Sequence, residues 1–235
     1  MARGPAKTPT SRPSASRDVA DFLAEVAKTP ARGQAGGRLI FALDATMSRQ
    51  PTWDAASAIQ ADMFAETAAI GELLVQLVYF RGFREFEASP WLGEAKGLRR
   101  AMTGIGCRAG KTQIGRVLAH ALAETKKKRV AALVYVGDAV EEDIDGVCAL
   151  AGELGLQGVP AFVFHEGRDA TTERAFRELA RLTRGAYCRF DLGAAKTLRE
   201  LLKAVAVYAA GGRKALADYG RKAGGAALLI ANQMK

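Results

Sequence analysis

The stretch RLIFALDATMS, residues 38–48, decides the fold, because a nearly continuous apolar run ends abruptly in an aspartate and two hydroxyl residues. Such a run without alternation reads as a strand covered on both faces, the habit of a parallel sheet inside an α/β protein. Downstream, further short apolar runs alternate with longer stretches of helical spacing. The strand candidates are 38–44, 73–80, 83–89, 129–138, 160–167 and 186–191, and the helix candidates are 53–71, 91–103, 112–125, 141–154, 171–184 and 193–210. Strands separated by helix-length segments predict a doubly wound, mostly parallel six-stranded sheet with helices on both faces. FREFEAS, residues 83–89, is the exception, since it alternates and follows its predecessor after only Arg81 and Gly82. A link that short predicts an antiparallel hairpin at the sheet edge, because a parallel crossover needs a dozen residues or more.

Outside this region the chain changes character. The opening MARGPAKTPTSRPSASR has almost no large apolar residue and is expected to be disordered, and Asp18 to Lys28 carries Val19, Phe22, Leu23 and Val26 at helical spacing. The division expected is a basic N-terminal segment over 1–37, one domain over 38–208, and a basic Gly/Ala-rich tail over 209–235. The net charge of +9 follows the same division: residues 1–38 hold seven Lys/Arg against three Asp/Glu, residues 209–235 five against one, and the remainder twenty-two against twenty-one. The folded part is therefore almost neutral. A phosphate-binding face needs clustered cations, so nucleic acid is expected to bind through the basic tails alone if it binds at all. No apolar leader and no stretch of eighteen apolar residues is present, which predicts a cytoplasmic protein without a membrane span. The Ala/Gly/Arg-rich composition suggests a bacterial source. Cys107, Cys148 and Cys188 are widely spaced with no CxxC pair, the pattern of free thiols.

The chemistry lies where strands are expected to end. Asp44, Thr46 and Ser48 place three oxygen-bearing side chains at alternating positions, a set that suits a hard cation such as Mg²⁺. The 129–138 run also ends in an aspartate, Asp138. In a sheet of order 3-2-1-4-5-6 the first and fourth strands are neighbours at the topological switch, so the two aspartates would face one crevice.

FALDATMS, a later Thr112 in GKTQIGRVLAHAL opening a helix, and the aspartate after the next apolar strand resemble the metal-ion-dependent adhesion site of von Willebrand factor A domains. The resemblance covers about residues 38–208 and implies a parallel sheet with one antiparallel edge strand. It further implies hydroxyl ligands from Thr46, Ser48 and Thr112, with Asp44 and Asp138 acting directly or through water. The ion would be Mg²⁺, or else Mn²⁺ or Ca²⁺. One coordination position would stay open for an Asp or Glu of a protein partner, which makes the chain an interaction module and not an enzyme. The family usually has serine where Thr46 stands, so here the hydroxyl is kept and a methyl is added.

Other readings compete. GCRAGKT, residues 106–112, is similar to a nucleotide-binding P-loop, which would make the chain a nucleotide-dependent enzyme using Gly110, Lys111 and Thr112. The required GxxxxGK[ST] spacing fails, however, being one residue short from Gly106 and one too long from Gly104. His120 and His165 are the only histidines and stand in no hydrolase signature, so structural roles are expected for both. Glu141, Glu142 and Asp143 could form an acidic cluster behind the metal ligands, but they read more simply as carboxylates favoured in the first turn of a helix. A fold of this family that holds no ion and serves as a scaffold is the remaining alternative.

Overall fold

A computed structural model describes residues 37–51, 53, 73–190, 203–205, 207–209, 215, 218 and 219. The expected N-terminal helix at 18–28, most of the helices at 53–71 and 193–210, and the last sixteen residues lie outside that set. Six strands form one sheet: β1 (Arg38–Asp44), β2 (Leu74–Arg81), β3 (Glu85–Ala88), β4 (Ala132–Gly137), β5 (Ala161–Glu166) and β6 (Ala186–Phe190). Their order across the sheet is 3-2-1-4-5-6, and every pairing is parallel except that of β2 with β3. Four helices complete the described core: α1 (Ala95–Thr103), α2 (Ile114–Lys127), α3 (Ile144–Leu156) and α4 (Ala170–Leu182).

Successive residues of a strand point to opposite faces, so β1 serves two cores at once. Leu39, Phe41 and Leu43 join Leu98 and Met102 of α1, Trp53, and the helical residues Ala204, Val205 and Tyr208 on one side. Ile40 and Ala42 join Val117, Leu118 and Ala121 of α2, Val147 and Ala151 of α3, and Phe176 and Leu179 of α4 on the other. All seven β1 residues are buried, and the five between Arg38 and Asp44 face these two cores, which accounts for their unbroken apolar run.

At the edge, β2 and β3 are joined by Gly82, Phe83 and Arg84. Gly82 and Arg84 take left-handed φ angles of 58° and 64°, which close the hairpin in three residues. The segment 91–94, expected to open a helix, is extended instead. Leu92 exchanges both main-chain hydrogen bonds with Val75 at 2.8 Å, and α1 starts only at Ala95. Helical spacing was present there, but a strand edge offered the backbone better partners.

Opposite the carboxyl ends of the strands, the amino end of β1 is pinned by a buried ion pair. Arg38 Nη2 meets Glu124 Oε2 at 2.7 Å, and the guanidinium lies 3.7 Å from the centre of the Trp91 ring. Trp91 Nε1 donates to the same carboxylate oxygen at 2.9 Å, and Lys127 reaches the other at 2.7 Å.

Candidate metal centre

Three loops meet beyond the carboxyl ends of β1 and β4. The first follows β1, where Ala45 and Thr46 lead into a tight turn over Met47–Arg49. Asp44 is fully buried, and its Oδ1 accepts a hydrogen bond from Thr46 N at 2.8 Å, a local turn that aspartate forms readily. Thr46 Oγ1 and Ser48 Oγ lie 3.0 Å apart, so the spacing DxTxS does bring its two hydroxyls together. Thr46 is itself buried while Ser48 is exposed, placing the pair at the rim between core and solvent.

The second loop, 104–113, joins α1 to α2. It is stitched to the first by a parallel bridge between Thr46 and Arg108, with Arg108 N donating to Ala45 O at 3.0 Å. It is also pressed against the edge hairpin, since a Cβ at Gly110 would lie 2.0 Å from Gly82 O. That contact fixes the backbone two residues before Thr112, so glycine at 110 is dictated by close approach.

The third loop, 138–143, joins β4 to α3 and clasps the second. Thr112 Oγ1 accepts from Glu141 N at 2.9 Å, and Thr112 N donates to Glu141 Oε2 at 3.0 Å. Glu142 spans the start of α2, accepting from Ile114 N at 2.6 Å and Gly115 N at 2.8 Å. Glu141 and Glu142 thus serve Thr112 and the neighbouring helix, while Asp143 alone caps α3 through Gly146 N. The expectation of three first-turn carboxylates for one helix holds only for Asp143. The other two belong to a contact across the fold, which spacing along the chain cannot reveal. The same arrangement disposes of the P-loop reading: the amide groups a phosphate would use at α2 are held by the Glu142 carboxylate, which would repel it.

The electrostatics single out two oxygens. Asp44 Oδ2 and Asp138 Oδ1 are buried and without hydrogen-bond partners among the described residues. Burial pushes the Asp44 carboxyl up from 3.8 to about 6. Hydrogen bonds from Thr46 pull against that shift, the like charge of Asp138 adds to it, and Arg49 opposes it weakly. Arg49 is almost wholly buried and otherwise engaged, donating to Asp44 O at 3.0 Å and to Glu166 Oε2 through Nε at 3.0 Å and Nη2 at 2.8 Å. This cation ties the first loop to the end of β5. Nothing in SRQPTW distinguishes it from a surface arginine, so this role is not legible in the residues around it.

A turn-forming role accounts for Asp44 Oδ1 and leaves Oδ2 unexplained. The Thr46 and Ser48 hydroxyls meet, the Asp44 and Asp138 carboxylates stand at the ends of the adjacent strands β1 and β4 where each feels the other's charge, and Thr112 is clasped by Glu141 in the next loop. Among the described residues no three His, Cys, Asp or Glu side chains gather as a metal cluster, so any cation here relies on hydroxyl oxygens for part of its shell. That donor set fits a hard cation and suits neither zinc nor copper. The histidines stand apart in packing roles: His120 Nε2 meets Gln76 Oε1 at 2.9 Å, and His165 Nδ1 meets the Tyr187 hydroxyl at 2.8 Å, although His165 Nε2 has no partner.

No family model matches the sequence, and no curated protein does. Solved structures do match in fold. An aerotolerance-related membrane protein from Bacteroides fragilis aligns with a TM-score of 0.54 at 19% identity, over 71% of this chain and 98% of that one. The SpRpn10 VWA domain aligns with a TM-score of 0.57 at 13% identity, over 76% of this chain and 98% of that one. The pilus adhesin SpaC from Lactobacillus rhamnosus GG aligns with a TM-score of 0.59 at 11% identity, over 75% of this chain but 30% of that one. At these identities the likeness establishes architecture alone: a six-stranded mixed sheet with one antiparallel edge strand and helices packed around it, as in the VWA domain among these structures.

Proposed function

We propose that the chain is a protein-interaction module whose contact with its partner depends on a divalent cation, Mg²⁺ or alternatively Mn²⁺ or Ca²⁺. The observation that carries this reading is the pair of unpartnered, mutually repelling oxygens, Asp44 Oδ2 and Asp138 Oδ1, buried at the switch point of the sheet. A buried Asp44 carboxylate beside a half-buried Asp138, balanced only weakly by Arg49, is costly to maintain, and a cation between the two would offset that cost. Asp44 and Asp138 would neutralise the ion, directly or through water, while Thr46, Ser48 and Thr112 supply hydroxyl ligands. A cation held largely by neutral oxygens remains electrophilic and attracts an anionic ligand. A partner's Asp or Glu is the group whose charge and hardness match.

The neighbours in fold include an adhesin, which agrees with a binding role. Cys107, Cys148 and Cys188 form no disulfide among the described residues, which agrees with a reducing, cytoplasmic location. No helix among the described residues is long and apolar enough to cross a membrane.

The test is calorimetric titration of Mg²⁺ and Mn²⁺ into the full chain, paired with thermal melts. At about 100 times Kd the ion adds about 2.7 kcal/mol to the folded state, a rise in Tm of about 5–10 °C for a domain of this size. Asp44→Ala abolishes both signals. Absence of binding by the wild type, or unchanged binding by Asp44→Ala, would refute the reading.

A further inference from the structure

Five buried side-chain polar atoms among the described residues lack hydrogen-bond partners, and all five stand near the carboxyl ends of the adjacent strands β1, β4 and β5: Asp44 Oδ2, Tyr135 Oη, Asp138 Oδ1, His165 Nε2 and Glu166 Oε1. Two belong to the proposed ligands. Of the other three, the Tyr135 hydroxyl is the one whose ring packing fixes its direction along β4 toward the ends of the strands.

Tyr135 pairs with Ala42 across β1 and β4, two residues before Asp44 on one strand and three before Asp138 on the other. Its ring stacks 6.4 Å from Phe80 and meets the edge of Phe176 at 5.5 Å, contacts that fix the direction of the side chain. The phenol runs along β4 toward the carboxyl end, and a Cβ at Gly137 would lie 2.4 Å from its oxygen. Glycine at 137 is thus the condition for the hydroxyl to reach the level of the site. Asp44 is the charge that acts on the phenol most strongly, followed by Glu142, and Asp138 acts in the same sense. Leaving a buried hydroxyl unpaired is costly, and phenylalanine would fill the same aromatic slot without that penalty.

We infer that Tyr135 is a positioning residue of the cation site, its hydroxyl donating to a water that bridges to Asp44 Oδ2 and Asp138 Oδ1 and so orienting both carboxylates. The site offers what an ordered water needs, one donor and two acceptors that no described protein group engages. The inference rests on the cation reading above and extends it to a residue that does not touch the ion.

The experiment titrates Mg²⁺ alone into full-length wild type, Tyr135→Phe and Asp44→Ala, with the Tm of each metal-free protein measured alongside. Partners that orient metal ligands are worth about 10–100-fold in affinity, so Tyr135→Phe is expected to weaken Mg²⁺ binding by about tenfold or more while its metal-free Tm holds or rises. A purely packing role for the hydroxyl would leave Kd unchanged. If Tyr135→Phe lowers the metal-free Tm, Gly137→Ala supplies the second arm: it keeps the phenol but displaces its oxygen, and the same weakening is expected. Wild-type affinity in Tyr135→Phe, or in Gly137→Ala where the first variant is unstable, overturns this inference alone. A wild type that binds no Mg²⁺ overturns it together with the cation reading.

Discussion

Asp44 divides its carboxylate between two duties: Oδ1 closes the turn onto Thr46 N, and Oδ2 is left buried without a partner. Its pKa near 6 in the folded chain, against 3.8 in a solvated one, means that the native state holds the proton more tightly. With that sign, the metal-free protein loses stability as pH rises from about 4 to about 6 and gains nothing from Asp44 ionisation above that. A shift of this size corresponds to about 3 kcal/mol. A cation reverses the balance, because it binds only the ionised form. Between pH 7 and pH 5 the ionised fraction of a group with this pKa falls by about tenfold, so Mg²⁺ affinity is expected to fall by about the same factor. Titrations at the two pH values check this, and pH-independent binding would mean that Asp44 does not ligate in its ionised form.

At the level of strands and loops, the parts of the chain that could be read in advance are those governed by local pattern. The apolar run of β1 ends at Asp44 as expected, because residues 39–43 are packed into a core on each face and only the ends of the strand admit a polar group. The short link at Gly82 announced the antiparallel edge for a chain-length reason. What could not be read are contacts made across the fold. Glu141 and Glu142 look like first-turn residues of α3, and only the structure shows them bound to Thr112 and the start of α2. Trp91 and Leu92 have helical spacing, yet one packs on Arg38 and the other pairs with Val75. Gly110, in the loop before Thr112, has the edge hairpin as its neighbour. Since a Cβ at 110 would come within 2.0 Å of Gly82 O, Gly110→Ala must push the loop from the hairpin. Overpacking of this kind costs about 1–3 kcal/mol, and here the displaced loop carries both Thr112 and the bridge to Thr46. Titration of this variant is expected to give Mg²⁺ binding weakened by about tenfold, in line with other losses of ligand support. Wild-type affinity would show that the hairpin does not position Thr112.

Across the molecule as a whole, the two ends of the sheet are specialised in opposite ways. The carboxyl end keeps buried polar atoms unpaired, whereas at the amino end Arg38, Trp91, Lys127 and Glu124 satisfy one another. Glu124 illustrates the contrast with Asp44: hydrogen bonds from Lys127 above all, then from Trp91 and Arg38, hold it at about 2, below its usual 4.5. A lowered folded pKa supplies stability that is complete above about 4.5 and is lost as pH falls toward 2, opposite in sign to Asp44. Removing one partner of a buried pair costs about 3–5 kcal/mol, because the remaining charge is stranded. Glu124→Ala leaves Arg38 in that position, and a fall in Tm of about 6–20 °C is expected for a domain of this size. Perturbations at distant sites with no shared partner add independently, and β1 separates this pair from the cation site by its full length. Thermal melts of Glu124→Ala with and without Mg²⁺ should therefore show a lowered baseline with the wild-type increment intact, together with a weaker decline of stability below pH 4.5. An increment that shrinks along with the baseline would mean that the two ends are coupled through the sheet, and that the amino-end ion pair helps to shape the site it stands opposite.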